Sequence, residues 1–174
     1  ATLRQLQEKY RDKIIIYAGM ETETVTGYQD HIARLKKKFN PDYMVGSVHH
    51  VNDICFDFSK EEYMRTAKSC GGVDQLYCRY FDLQYEMIQA IKPFIIGHFD
   101  LIRIYDPDYE SRLKKPDIEE RIVRNLRLIK KLDLVMDFNL RPLARKEKEP
   151  YITGSILEKA SRMNIRLVPG DDSH

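Results

Sequence analysis

The sequence predicts one α/β domain built from parallel βαβ units. Three observations carry that expectation. Short apolar runs rich in β-branched residues alternate along the chain with longer stretches whose apolar residues recur at helical spacing. The order strand, loop, helix repeats, which is the pattern of a parallel sheet with helical crossovers. A length of 174 residues suits one domain with its own core, and no linker, internal repeat or low-complexity stretch divides it.

The elements follow in order. Ala1–Lys13 is charged, with Leu3, Leu6 and Tyr10 at helical spacing, and reads as the last turns of a helix. Ile14-Ile-Ile-Tyr-Ala18, closed by Gly19, is a continuous apolar run expected to form a buried strand. Tyr28–Phe39 is an amphipathic helix, basic on one side and stopped by Pro41. Tyr43–Val48 is the second strand. Ser59, followed by Glu61 and Glu62, is placed to cap a helix start. Val73–Ile91 is a long helix ended by Lys92-Pro93, and its Tyr80, Phe81, Tyr85 and Met87 are expected in the core. Phe94–Gly97 is a third strand and Pro107–Pro116 a polar loop. Asp117–Lys131 is a helix whose Ile118, Ile122, Leu126 and Ile129 form one stripe. Leu134–Phe138, the helix Ser155–Met163 and Ile165–Val168 complete the series.

Charged residues make up 32% of the chain and apolar ones 43%, an ordinary globular balance. The net charge of +2 demands neither a nucleic acid nor an anionic membrane as partner. Any phosphate affinity must then come from local placement of cations or metals. Cys55, Cys70 and Cys78 form no CxxC pair, which argues against a thiolate zinc site and for reduced thiols in a cytoplasmic protein. The apolar patches Ile14–Ala18 and Phe94–Ile96 are too short to span a bilayer, and the N-terminus lacks a signal-peptide core. Oligomeric state leaves no signature.

The chemistry sits at the strand ends. Glu21 lies just past the first predicted strand, His49 ends the second, His98 ends the third, and Asp172 and His174 follow the fifth. In parallel α/β folds the C-terminal strand ends share one face, where sites form, so five metal-competent side chains are expected on one rim. Imidazole with carboxylate favours zinc, iron or manganese over calcium or magnesium alone. A carboxylate such as Glu21 can bridge two cations. Two cations roughly 3.5–4 Å apart can hold a hydroxide and brace phosphoryl oxygens. Plainer readings stand beside this one: Glu21 as a turn carboxylate, His49 as a satisfied strand-end histidine, Asp171-Asp-Ser-His174 as a disordered terminus. His50 points the opposite way from His49 on a strand end. His31 and Lys36–Lys38 read as solvated. Asp100 is placed to orient His98 or a substrate amine, or to cap a loop.

The local motifs are more specific than the spacing. Gly19-Met-Glu21, Gly46-Ser-Val-His49-His50-Val51, Ile96-Gly-His98-Phe-Asp-Leu101 and Asp171-Asp-Ser-His174 occur in order, with Asp57-Phe58, Tyr80–Ile88 and Glu149-Pro-Tyr151 between them. Together they resemble histidinol-phosphate phosphatases of the PHP (polymerase and histidinol phosphatase) class over nearly the whole chain. The resemblance implies a distorted (β/α)7 TIM-like barrel with a trinuclear centre of divalent transition metals. By motif, Glu21 would bridge two metals, and His49 and His98 would complete the second metal's protein ligands. Asp172 and His174 would serve the other metals and act in catalysis. The implied reaction is hydrolysis of L-histidinol phosphate, a small-molecule phosphate ester, to L-histidinol and phosphate.

Two departures matter. The family opens with a His-x-His strand and further ligands, none of which stands upstream of Glu21. Residues 1–174 are therefore expected to be a partial domain, incomplete at both ends. After Asn139, where related enzymes often carry a phosphate-binding arginine, the aligned position is Ala144, with Arg141 and Arg145 nearby. Arg103, five residues after His98, keeps the family spacing and is the first candidate for phosphate. The alternatives are a phosphoesterase of the same fold with another substrate, and a catalytically inactive metal-binding scaffold.

Overall fold

The structure, a computed structural model, describes residues 2–172. Helix α1 (Leu3–Tyr10) leads to strand β1 (Gly19–Glu21), α2 (Tyr28–Phe39), β2 (Tyr43–Gly46), β3 (His50–Val51), β4 (Ile54–Cys55), α3 (Lys60–Cys70) and α4 (Val73–Ile91). Then come β5 (Ile95–Ile96), a 3-10 turn (Leu101–Arg103), α5 (Tyr109–Arg112), α6 (Pro116–Lys131), β6 (Val135–Asn139), α7 (Arg141–Ala144), α8 (Gly154–Arg162) and β7 (Arg166–Gly170).

Strands β1, β2, β5, β6 and β7 form one sheet in that order, and every pairing is parallel. Neighbours in the sheet are neighbours in the sequence. Crossovers of a single hand then put all the connecting helices on one face. On that face α4 packs against α3 and α6, and α6 against α8. Met44, Ile96 and Met136 are buried there. The side-chain period of two turns Tyr43, Val45, Ile95 and Val168 to the other face, where they line open cavities. Among the described residues the sheet does not close on itself.

Much of the predicted local structure is present. The Ser59 hydroxyl accepts from the Glu62 N–H at 3.2 Å and caps α3. Lys92, at φ 47°, ends α4 just before Pro93. Tyr80, Phe81 and Met87 are fully buried, and Tyr85 lies under the Arg124 guanidinium, 4.3 Å from its ring centre. The stripe Ile118, Ile122, Leu126 and Ile129 is buried as one face of α6.

Three expectations are corrected. The first helix is shorter than Ala1–Lys13: a Thr2–Gln5 capping box opens it at Leu3 and it ends at Tyr10. Ile14–Ala18 is not a buried strand, because Ile14, Ile15 and Tyr17 are exposed and β1 begins at Gly19. This segment runs at the sheet edge, where ladder partners exist on one side only. Its polar groups are pinned by side chains instead: Gln7 donates to the Ile16 carbonyl at 2.7 Å, and Asp42 accepts from the Ala18 N–H at 2.7 Å. The polar stretch 107–116 is not wholly loop, since α5 forms within it and Pro116 opens α6. Among the described residues, no helix is long and apolar enough to cross a membrane.

Candidate metal centre

Parallel register brings the C-terminal ends of β1, β2 and β5 to one rim. Glu21 pairs with Val45 and Gly46 with Ile96, so the residues just beyond them converge. Glu21 Oε1 is the hub. It accepts from the Ser47 hydroxyl at 2.5 Å and stands 3.3 Å from His49 Nε2 and 3.2 Å from His98 Nε2. The two imidazole rings meet edge to face with centroids 4.8 Å apart. One donor atom from each of Glu21, His49 and His98 lies within 4.8 Å of the others. Gly97 permits this approach. A Cβ there would lie 3.0 Å from Val45 Cγ1 and would collide with the Ser47 hydroxyl that holds Glu21.

The electrostatics fit a cation. Burial alone would raise the Glu21 carboxyl, but His49, His98 and Ser47 hold it far below the usual carboxylate range. Burial alone would lower His49, but Asp57 and Glu21 push it up to about 10. His98 is 4% exposed, and its Nδ1 is buried without a hydrogen-bond partner among the described residues. One carboxylate oxygen and two imidazole nitrogens form a borderline donor set suited to zinc or iron. In the metal-free chain a proton on His49 supplies the positive charge that this arrangement favours.

A pH prediction follows from that proton. His49 has a folded pKa near 10 against an ordinary 6.5, so the folded state holds a proton that the unfolded chain releases between those values. Stability from this group is full below pH 6.5 and is lost as pH rises towards 10. Glu21 is shifted the other way from 4.5, so its contribution is present above pH 4.5 and is lost as pH falls. The metal-free chain is therefore expected to melt highest between about pH 4.5 and 6.5 and progressively lower up to pH 10. A melting temperature that climbs across that alkaline window would contradict the assignment.

The group opens into a cleft of about 330 Å³, also lined by Glu23, Cys55, Asp57, Arg141, Arg145, Glu147, Tyr151 and Asp172. Asp172, at φ 51°, also lines a second cavity of about 290 Å³ with Glu21, His98, Asp137 and Asn139. Arg141 donates to the Asp172 carbonyl and holds its Nε 4.0 Å from Asp172 Oδ2. His174 lies outside the described residues.

Of the three candidate arginines, Arg141 and Arg145 face the cleft. Arg103 is not among its lining residues. It is 5% exposed and donates to the carbonyls of Glu149 and Pro150 at 2.8 and 3.0 Å, and to Glu147 at 3.3 Å. Its guanidinium lies against the rings of Tyr151 and Tyr109, at 4.6 and 5.1 Å from their centres. Asp100, fully buried, accepts from the Thr153 N–H at 2.9 Å and lies 3.7 Å from Arg103 Nε. Asp100 and Arg103 thus tie down the segment 147–153 that forms one wall of the cleft. His50 pairs with Glu23 at 2.9 Å, and His31 is exposed on α2.

Sequence reasoning gave no site role to Asp57, named there only within a motif, whose Oδ2 lies 2.9 Å from His49 Nδ1, nor to Asp137. Burial pushes the Asp137 carboxyl up and nearby Asp172 adds to it, while Asn139 and the His98 backbone N–H oppose the rise. The available signal was a carboxylate inside the apolar strand run Val135–Phe138.

No protein-family model matches the chain. The chain is 34% identical to the Schizosaccharomyces pombe protein named "Probable histidinol-phosphatase", over 98% of itself and 57% of that protein. It is 30% identical to the histidinol-phosphatase of Saccharomyces cerevisiae, over 94% of itself and 56% of that protein. The chain thus spans little more than half the length of these relatives. Among solved structures, one assigned to the histidinol phosphatase HisK of Listeria monocytogenes superposes with a TM-score of 0.87 at 26% identity, covering 99% of this chain and 68% of that one. The histidinol phosphate phosphatase of Lactococcus lactis, solved with zinc, L-histidinol and phosphate, gives 0.69 at 22% identity, covering 98% and 64%.

Proposed function

The chain is a relative of the histidinol-phosphatases along nearly its whole length, and from that premise we propose that it carries much of the catalytic domain of an enzyme hydrolysing L-histidinol phosphate to L-histidinol and phosphate. The observation that carries this reading is the Glu21–His49–His98 group on the strand-end rim, open to a cleft whose wall presents Arg141 and Arg145.

In this reading residues 1–174 are part of a single phosphatase domain, and the five parallel strands are consecutive strands of a distorted seven-stranded barrel. The strand order supports this, because a singly wound parallel sheet leaves one face for further strands to enclose. Glu21, His49 and His98 would hold divalent cations, with Asp172 and His174 serving the remaining positions of a three-metal site. The Lactococcus protein's complex favours zinc, with iron or manganese as alternatives. A bound divalent cation supplies an electrophile that draws charge from a phosphate ester and acidifies water.

The chain's own residues do the rest. Arg141 and Arg145 receive the phosphate, since a guanidinium fork matches two phosphate oxygens at once. Arg141 is steered by its bond to the Asp172 carbonyl, which sets the phosphate-binding wall against the ligand rim. Tyr151, 6% exposed with its ring centroid 6.4 Å from that of His98, shields the imidazole from bulk water.

The test is phosphate release from L-histidinol phosphate by the chelated protein after reloading with zinc, iron or manganese. Release that needs a reloaded cation is expected, with other phosphomonoesters turned over more slowly. Release from another ester and none from histidinol phosphate would overturn the substrate assignment. Cation uptake without release from any ester would make the chain a scaffold.

A further inference from the structure

The excursion between β2 and α3 has no role in the sheet, yet it ends beside the metal centre. Val51-Asn52-Asp53-Ile54 is a two-residue turn with Asn52 and Asp53 both left-handed, at φ 53° and 59°. That is the type I′ geometry whose twist matches paired strands. The hairpin pairs His50 with Cys55, and the Phe56 N–H donates to the His49 carbonyl at 3.1 Å. The chain therefore returns to where it left, and Asp57 lands next to His49, eight residues earlier.

Asp57 is held from several directions. Its Oδ2 lies 2.9 Å from His49 Nδ1, and its Oδ1 accepts from the Cys55 thiol at 3.2 Å. Its carbonyl accepts from the Tyr105 hydroxyl at 3.3 Å, and the neighbouring Phe56 is fully buried. The turn is anchored as well, because Asp53 accepts from the Thr26 N–H and hydroxyl at 2.7 and 2.6 Å. His98 is treated differently. Its Nε2 meets Glu21, but its Nδ1 has no partner among the described residues, so on that side the ring is held by burial. His49, more exposed at 18% of its side chain, has the polar tie instead.

We infer that Asp57 is a positioning residue for His49, and that the β3–β4 hairpin serves to deliver it. An imidazole that donates from Nδ1 to a carboxylate presents its Nε2 lone pair outward in a fixed direction. Here that direction is towards Glu21 and His98. The inference rests on the metal reading above and adds a residue that touches neither cation nor substrate.

The experiment compares the wild-type chain with Asp57→Ala and Asp57→Asn. Zinc affinity is read by competition with a chromophoric chelator. The His49 tautomer in the zinc-loaded state is read by long-range ¹H–¹⁵N correlation, and folding by melting of the metal-free chains. Asp57→Ala is expected to weaken zinc by about 10–100-fold and to broaden or shift the His49 Nδ1 signal. Asp57→Asn keeps an acceptor oxygen and is expected to recover most of that loss. Should the alanine variant fail to fold, the asparagine variant decides alone: a small loss of affinity with the Nδ1–H tautomer retained supports the role, and a changed tautomer at unchanged affinity overturns it. An alanine variant that folds and binds zinc like the wild type overturns the inference and leaves the metal reading intact. A wild-type chain that takes up no zinc overturns both.

Discussion

Under the proposed function, Glu21→Gln is expected to remove cation uptake and to lower histidinol phosphate turnover by about 1,000-fold, roughly 4 kcal/mol of transition-state stabilisation. Glutamine keeps the shape of the side chain and an oxygen near the two imidazoles. What it loses is the negative charge that makes the group a cation site. In the wild type one oxygen meets Ser47, His49 and His98 within 3.3 Å. A neutral amide cannot offset the charge of a divalent cation there, and it removes one of the three carboxylates that raise His49. The variant should therefore also lose part of the alkaline decline in melting temperature, because less proton affinity distinguishes the folded state. Metal content after dialysis, phosphate release and the pH–melting profile give three readouts of one substitution. Wild-type zinc content and turnover in Glu21→Gln would remove Glu21 from the site.

Arg103→Met is expected to destabilise the fold by about 3–5 kcal/mol, the cost of breaking one side of a buried ion pair. Methionine replaces much of the stem between Tyr109 and Tyr151 but none of the donors. Asp100, with no exposure, would lose the cation beside it, and the carbonyls of Glu149 and Pro150 would lose their N–H partners. Burial already pushes the Asp100 carboxyl up, and Arg103 is the largest influence pulling it back down. Without Arg103 the folded state retains a proton on Asp100 to higher pH than the unfolded chain does. The deficit should therefore be smallest in acid and grow as pH rises through the ordinary carboxylate range. Urea denaturation at two pH values measures both effects. A deficit below about 1 kcal/mol at neutral pH would free Arg103 from this structural role and return it to the phosphate-binding candidates.

The sequence and the structure agree where a single local pattern decides the outcome. The α6 stripe, the Ser59 cap and the Lys92-Pro93 stop each depend on a few adjacent residues, and each is present. The convergence of Glu21, His49 and His98 was legible for a related reason: in a parallel sheet, residues just beyond successive strands must share a rim. What the sequence did not reveal depends on partners far along the chain. Whether Ile14–Ala18 is buried depends on what flanks the sheet edge, which apolarity does not reveal. Arg103 kept its spacing from His98, but its direction was set by Tyr109, Tyr151 and the carbonyls of residues 149 and 150. Asp57 was invisible as a partner of His49 because Asn52-Asp53, without glycine, is a weak hairpin signal.

The position of Glu21 on β1 has a further consequence. β1 is three residues long, lies at the edge of the sheet and pairs only with β2 among the described strands. Two of the three donors sit on loops behind interior strands, whereas the third rides on this edge. For residues 2–172 taken alone, a cation shared by all three would be held only while the edge is closed, adding about 2.7 kcal/mol to closure at a hundredfold excess over the dissociation constant. In the barrel proposed above a neighbouring strand would cover the free side of β1, so that pairing, and not the ion alone, would hold Glu21 against the two imidazoles.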